Sequence, residues 1–327
     1  MNATADKLTT LRANLTLQQS LFISLGFLTL MTNSVILLVA YKSNKFRLLA
    51  FLALGDVFLG SAYFTAGCGR LYLVLNDIYK NPVARPYCLL APWFHFFSLG
   101  KFWPSIATVA ISVDRVLAIT RVNWYRTNWG VYYENRLMAL SMCVLAACML
   151  PRYILVFALR VPTIMQCPFP APRNAPKPHK WYSSFFSGFV IVCGCFAMLA
   201  NIYAVTRAKK KFQQLGLPEN DSYLLRQKRM NRSVLAVVIV TMLLVITPRL
   251  MTLAYFMGWI RYTEVTNRYF ALLFLSNSTV NLVLYLVVNS DFRSTFKQTF
   301  SPKLPGTKVQ SVAPASTKKT GQTSNTT

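Results

Sequence analysis

Residues 21–41 read LFISLGFLTLMTNSVILLVAY, with no charged side chain. A hydrocarbon core about 30 Å thick is crossed by roughly 20 helical residues, each rising about 1.5 Å, so this stretch is long enough to span a bilayer. In lipid every backbone N–H and C=O must be paired within the segment, which makes a helix the conformation expected of it. Six further stretches have the same character: Leu48–Leu75, Leu89–Thr120, Leu137–Leu159, Trp181–Val205, Ser233–Trp259 and Tyr269–Val288. Seven spans of this kind predict an all-α fold, a seven-transmembrane helix bundle.

The remaining sequence divides around the spans. We expect an extracellular N-terminus (1–20), the seven-transmembrane domain (21–290), a short cytoplasmic amphipathic helix (291–300) and a disordered cytoplasmic tail (301–327). Residues 1–20 lack the basic-then-apolar layout of a cleaved signal, so the first span is expected to act as its own uncleaved signal, leaving the mature chain whole. Hydrophobic residues make up 54% of the chain and charged ones 13%, about half the charged share of a soluble domain. A net charge of +26 would suit a nucleic-acid partner in a soluble protein. Here its placement argues against one. Lys42, Lys45 and Arg47, then Arg115, Arg121, Arg126 and Arg136, then Lys209, Lys210, Lys211, Arg226, Lys228, Arg229 and Arg232 fall on one set of connections, and the tail adds more. The opposite face is basic too, with Lys80, Arg85, Lys177 and Arg261 among others, but less so. The positive-inside rule then puts the N-terminus outside and the C-terminus in the cytoplasm. The sequons at Asn2 and Asn14 fall on the outer side, as candidate glycosylation sites.

Short motifs at the helix ends narrow the class. Asp114-Arg115 closes the long third span, where an adjacent acid and base can neutralise each other near lipid. The seventh span ends Asn277-Ser278-Thr279-Val280-Asn281-Leu282-Val283-Leu284-Tyr285, with Phe292 and Arg293 beyond it. In these landmarks the chain resembles the rhodopsin-like G-protein-coupled receptors, whose third helix ends in Asp/Glu-Arg-Tyr and whose seventh carries Asn-Pro-x-x-Tyr. Asn33 and Val35 in the first span, Leu52-Ala53-Leu54-Gly55-Asp56 in the second and Pro248 in the sixth fall in the same register. The resemblance covers nearly the whole chain but is divergent. Val116 stands for the Tyr after Asp-Arg, Leu282 for the Pro of the seventh-helix motif, and Val245-Ile246-Thr247-Pro248 lacks the Cys and Trp before Pro. Such drift is similar to that of invertebrate, especially nematode, chemoreceptors.

The resemblance implies further roles. Cys88 and Cys167 match the family's extracellular disulfide, with Cys68 as a rival partner for Cys167; the bridge would pin the Pro-rich segment 162–178, expected to be a stiff non-helical lid. Asp56, with Asn33 and Asn277 as polar neighbours, matches a sodium-binding site, although Pro104 replaces a residue that helps hold the ion. Sodium is the one ion implied; no cofactor or other metal is expected. Arg115, Tyr285 and, as a third partner, Tyr203 would rearrange to admit a heterotrimeric G protein, with Asp114 holding Arg115 at rest and Pro248 and Asn281 in the activation path. Arrestin and a receptor kinase would act on the hydroxyl-rich tail, and the basic stretch Lys209–Lys211 would face G protein or membrane lipid. The amphipathic helix would place Phe292, Phe296 and Phe300 on one face.

Charges inside the spans are costly and mark function by default. Lys101 and Arg249 could face one cavity and bind an anionic extracellular ligand, or Lys101 could pair with Asp56 while Arg249 snorkels outward or bonds backbone carbonyls beside Pro248. Phe97 stands where amine receptors place an Asp, which argues against an amine; Trp103 and Phe256 are further candidates for a ligand-lining aromatic wall. The ligand classes open are a small anion, an odorant or a peptide. An enzyme is not expected: the histidines are His95 and His179, in no metal-ligand spacing. The alternative from another class is a seven-helix transporter or ligand-gated channel, whose signature would be repeats or broken helices with paired acids.

Overall fold

The computed structural model describes residues 2–43, 46–79, 81–158, 162–164, 177–214, 235–260 and 264–301. The apolar stretches are helices: α1 (Asn2–Ser43), α2 (Arg47–Leu75), α3 (Pro92–Thr120), α5 (Val131–Ala158) and α6 (Lys177–Gln214), with the short α4 (Val122–Asn128) after α3. The sixth stretch, Leu235–Tyr255, is built in three parts. They are α7 (residues 235–241), a π-turn at Met242–Ile246 and α8 (Thr247–Phe256). α9 (Glu264–Val288) and α10 (Ser290–Phe300) complete the order.

Among the described residues six helices are each long and apolar enough to cross a bilayer. Leu272–Val288 of α9 passes the same measure only together with α10, across a 100° bend, so the spans number six or seven. The fold is an all-α bundle with one addition that the sequence reading lacks. β1 (Pro82–Ala84) pairs antiparallel with β2 (Pro162–Ile164), in the register Pro82 to Ile164. The second strand opens the expected Pro-rich lid, which is therefore tied to the connection before α3; residues 165–176 lie outside the described residues.

The boundary expected at residue 20 falls inside a continuous helix. Leu15 buries against Leu73, Val74 and Tyr79, and Arg12 donates to Leu75 O at 2.9 Å and Asp77 Oδ2 at 3.3 Å. Polar composition removes residues 2–20 from the apolar span without removing helix propensity, and packing against the end of α2 supplies the tertiary support that isolated helices lack.

The main core joins α2, α3, α5 and α6 through Leu59, Tyr63, Phe97, Phe102, Leu145, Phe186 and Val190. α2 and α3 approach so closely that a Cβ on Gly100 would sit 2.5 Å from the Leu59 backbone. At Gly55 a Cβ would meet the Trp103 ring at 2.7 Å. These two glycines let the backbones come together where any side chain would hold them apart.

The π-turn follows from proline chemistry. Pro248 has no N–H to donate to the preceding turn, and the Thr247 N–H bonds instead to Met242 O, the longer π-type loop. At the other end of the chain, Asn289 caps α10, its Oδ1 accepting from the N–H groups of Asp291 at 3.1 Å and Phe292 at 3.0 Å. Phe292 is fully buried against Phe46 and Tyr285, so the aromatic face of α10 begins in the core and ends at the exposed Phe300.

Candidate functional site

Asp56 sits in the first half of α2, and both its carboxylate oxygens are used. Ser278 Oγ donates to Oδ1 at 2.6 Å and Asn281 Nδ2 donates to Oδ2 at 3.0 Å. Asn33 Nδ2 donates to Thr29 O at 2.9 Å and across to Ser278 O at 3.1 Å. The hydroxyls of Thr29 and Thr279 lie 2.9 Å apart, and Thr241 Oγ1 donates to Asn277 Oδ1 at 3.2 Å. Three helices, α1, α2 and α7, therefore hold α9 through buried polar groups. Such a network is costly if broken and specific when complete.

A cavity of about 40 Å³ adjoins it, lined by Asp56, Pro104, Ser105, Thr108, Asn277 and Asn281 among others. That is room for about three waters, at roughly 10–15 Å³ each. Asn281 Oδ1 is a buried acceptor with no hydrogen-bond partner among the described residues. The oxygen-rich wall of Asp56, Ser105, Thr108 and Asn277 suits a small hard cation such as sodium, with Pro104 contributing no ligand.

The second cluster lies at the far end of α3. Asp114 and Arg115 form an ion pair in which both side chains are buried. Tyr125, from α4, donates its hydroxyl to the other Asp114 oxygen at 2.9 Å. Burial and the Asp114 charge together push the Tyr125 phenol well above its ordinary range, so it stays protonated and serves as a donor. Its ring stacks on Trp129 at 5.2 Å, and Trp129 stacks on Tyr133 of α5 at 5.6 Å. An aromatic ladder thus links the Asp114 carboxylate to the start of α5. Arg115 also lines a cavity of about 70 Å³ with Tyr285, Asn289, Glu134, Arg47 and Thr108. Arg115 and Tyr285, distant in sequence, share one wall.

Tyr203 does not join them. It is 42% exposed on the outer face of α6, with Arg207 over its ring at 5.7 Å. The buried α6 group facing α3 is Asn201, which donates to Ser112 Oγ at 2.8 Å.

The third cluster occupies the half of the bundle nearer Cys88. Lys101 is 4% exposed, with its ammonium 5.0 Å from the Phe97 ring centroid. Among the described residues the ion pairs are Arg12 with Asp77 and Arg115 with Asp114. The alternative pairing of Lys101 with Asp56 is not made; Asp56 instead accepts from Ser278 and Asn281. Arg249 does not snorkel to the surface either: its guanidinium lies 4.7 Å from both the Phe186 and Phe274 rings. Two cations that the sequence reading passed over, Arg70 of α2 and Arg152 of α5, are buried in the same region. Lys101 feels the charges of Arg249, Arg152 and Arg70.

Of the expected aromatic wall, Phe97 meets Tyr63 edge-on at 4.9 Å. Trp103 is a correction. Its indole donates to Phe51 O at 2.9 Å and its ring packs on Phe51 and Phe58, which makes it the wedge between α2 and α3 rather than a ligand contact. The Phe256 side chain lies outside the described residues. Cys88 is disulfide-bonded, while Cys68 is free and drops out as a rival. Cys167 lies outside the described residues, as do the tail beyond residue 301, the basic segment 215–234 and the Asn2 and His179 side chains. Asn14 is exposed. Both ring nitrogens of His95 are engaged, with Tyr153 OH at 2.9 Å and Leu89 O at 2.7 Å.

Ser278, Thr29, Tyr125 and Asn201 carried no signal beyond ordinary polarity. Arg70 and Arg152 did: each is a charge within an apolar stretch, and that alone could have singled them out. Compared with known proteins, the chain matches no family model and no curated protein.

Proposed function

We propose that the chain is a plasma-membrane receptor of the rhodopsin-like, G-protein-coupled kind. α9 would be its seventh span, the N-terminus would be extracellular and the C-terminus cytoplasmic. The observation that carries this reading is the meeting of Arg115 and Tyr285 on one cavity wall, beside an Asp114 that already neutralises Arg115. An arginine held by its neighbour and facing a partly open cavity is a two-state element: a partner entering that cavity competes with Asp114 for the guanidinium.

An extracellular ligand, a small anion or odorant or a peptide, would bias that equilibrium from the opposite end. The π-turn before Pro248 interrupts the regular α-helical bonding of the sixth span, a place at which the segment below could swing. Asp56, Asn33, Asn277 and Asn281 tie α9 to its neighbours and would transmit the change, with sodium at Asp56 favouring one state. Tyr125 would stabilise the locked pair. A heterotrimeric G protein would be the partner, with arrestin and a receptor kinase acting on the tail.

The test is G-protein activation in a heterologous cell, wild type against Arg115→Ala at matched surface expression, over a panel of small anions and volatile odorants. A ligand-evoked or basal signal that disappears in Arg115→Ala is the expected result. A ligand-evoked current or uptake unaffected by Arg115→Ala would overturn it in favour of a channel or transporter.

A further inference from the structure

We propose that Arg47, Tyr132 and Arg136 form a binding site for the headgroup of an anionic phospholipid, at the membrane edge where α2 and α5 begin. The proposal goes beyond the receptor reading and needs only that these two helices cross a bilayer.

Depth is the first argument. Both helices are long and apolar enough to span. Arg47 is the first residue of α2, and no charged side chain follows it until Asp56. Arg136 stands in the second turn of α5, and no charged side chain follows it until Arg152. Each guanidinium therefore sits where an uncharged run begins, the level at which a helix passes from the phosphate layer into hydrocarbon, and Tyr and Trp favour the same level. One hydrogen bond sets the two helix starts side by side: Arg47 Nη1 donates to Asn135 Oδ1 at 3.3 Å. Asn135 and Arg136, three and four residues after Tyr132, share its face of α5.

Charge is the second argument. The Arg136 guanidinium carbon lies 4.3 Å from the Tyr132 ring centroid, and both side chains are exposed. The ring orients the cation and attracts it without neutralising it. Among the described residues neither Arg47 nor Arg136 forms an ion pair. Glu134, which lines a cavity with Arg47, is the one acid in residues 121–136, against Arg121, Arg126 and Arg136, so this edge keeps an excess of positive charge. A planar guanidinium grips phosphate oxygens in pairs, and two of them on neighbouring helices suit the phosphate of one lipid.

The stripe that continues from Arg136 names the occupant. Tyr132, Arg136, Leu140 and Val144 recur every fourth residue along α5, and all four are exposed. Their order, aromatic ring, cation and then two aliphatic side chains, matches a phospholipid lying along the helix with its headgroup at Arg136 and an acyl chain on Leu140 and Val144. A nucleotide or an acidic peptide would use the cations and leave the aliphatic half of the stripe uncovered.

The experiment measures thermal unfolding of the purified full-length protein in neutral detergent micelles, at fixed ionic strength and pH. The micelles carry increasing mole fractions of phosphatidylglycerol or of phosphatidylcholine, with inorganic phosphate in lipid-free micelles as a third arm. A ligand that binds only the folded state raises the unfolding temperature in step with its concentration over Kd. Phosphatidylglycerol is expected to raise it saturably, well beyond phosphatidylcholine, and inorganic phosphate is not expected to raise it. Arg136→Gln should raise the half-saturating mole fraction of phosphatidylglycerol about fivefold, the loss of one basic residue at a charged membrane surface; Arg136→Lys should keep most of the response. Arg47→Gln serves as a second variant with the same expected direction. Arg207→Gln takes another exposed cation off a tyrosine ring, that of Tyr203 on α6, and should leave the curve unchanged. Equal responses to the two lipids, an equal response to inorganic phosphate, a curve unchanged in both Arg136→Gln and Arg47→Gln, or an equal shift in Arg207→Gln would overturn the proposal, the last by showing only a diffuse attraction of a basic protein. No G protein is present, so the outcomes separate. A chain that responds as expected but fails the Arg115→Ala signalling test loses the receptor reading and keeps this site. A chain that signals with its lipid response unchanged by both substitutions does the reverse.

Discussion

The two ends of the bundle handle charge in opposite ways. At the Arg115 end a buried cation meets its own acid: Asp114 takes the guanidinium on one oxygen and the Tyr125 hydroxyl on the other. At the Cys88 end three cations, Lys101, Arg152 and Arg249, sit against aromatic rings, and Arg152 also donates to Ser98 Oγ. The first arrangement is closed and stores its stability in local pairing. The second spreads its cations over ring faces, which attract a cation without neutralising it.

Charge removal should therefore cost more at the Arg115 end than at the Cys88 end. Asp114→Ala leaves Arg115 buried without its acid, and breaking a buried pair by deleting one partner costs about 3–5 kcal/mol. Thermal or denaturant unfolding in micelles should show the largest loss of stability here, together with raised basal nucleotide exchange on a co-expressed G protein. Lys101→Met takes the ammonium off the Phe97 ring and leaves an apolar side chain of similar length. It is expected to cost about 0.5–2 kcal/mol, the worth of a cation over a ring, and so less than Asp114→Ala. A comparable loss in both variants would erase the contrast.

Smaller effects sharpen the Arg115 end. Tyr125→Phe keeps the stacked ladder and deletes only the bond to the Asp114 carboxylate, a charge-assisted bond worth about 1.5–3 kcal/mol. Unfolding should register that loss, and basal signalling should rise less than in Asp114→Ala. An unchanged basal signal would detach the ladder from the lock. Asn289→Ala removes the α10 cap at an estimated cost of about 1 kcal/mol, read as faster amide exchange confined to residues 290–293 with the Cys88 end untouched.

Parts of this were legible from the chain alone. Asp114-Arg115 is readable because the partners are adjacent in sequence. Asp56, Asn33 and Asn281 are readable as polar groups in apolar spans, although their donor-by-donor arrangement through Ser278 is not. Lys101 shows why. Its position along α3 fixes how deep it lies, but Asp56 and the Phe97 ring are alternatives at reachable distance, and the choice depends on how α3 is rotated against α2. The close contact at Gly55 and Gly100 sets that rotation. Trp103 and Tyr203 differed from expectation for the same reason, each being turned to a face that helix periodicity cannot assign without knowing the neighbours. Arg70 and Arg152 were visible as charges, but their burial in the same region as Lys101 and Arg249 was not.

What the sequence by itself determined is the solvent of the fold: long uncharged stretches must become helices wherever water cannot satisfy the backbone, whatever surrounds them. It also determined the adjacent pair Asp114-Arg115 and the helix-breaking chemistry at Pro248. The tertiary structure alone decided which buried groups meet. It joined β1 to β2, gave Asp56 to Ser278 and Asn281 rather than to Lys101, brought Tyr125 onto Asp114, and seated Lys101, Arg152 and Arg249 against aromatic rings. Contacts of that kind depend on the rotation and approach of helices far apart in the chain, which side-chain volume and glycine placement set jointly and no local pattern encodes.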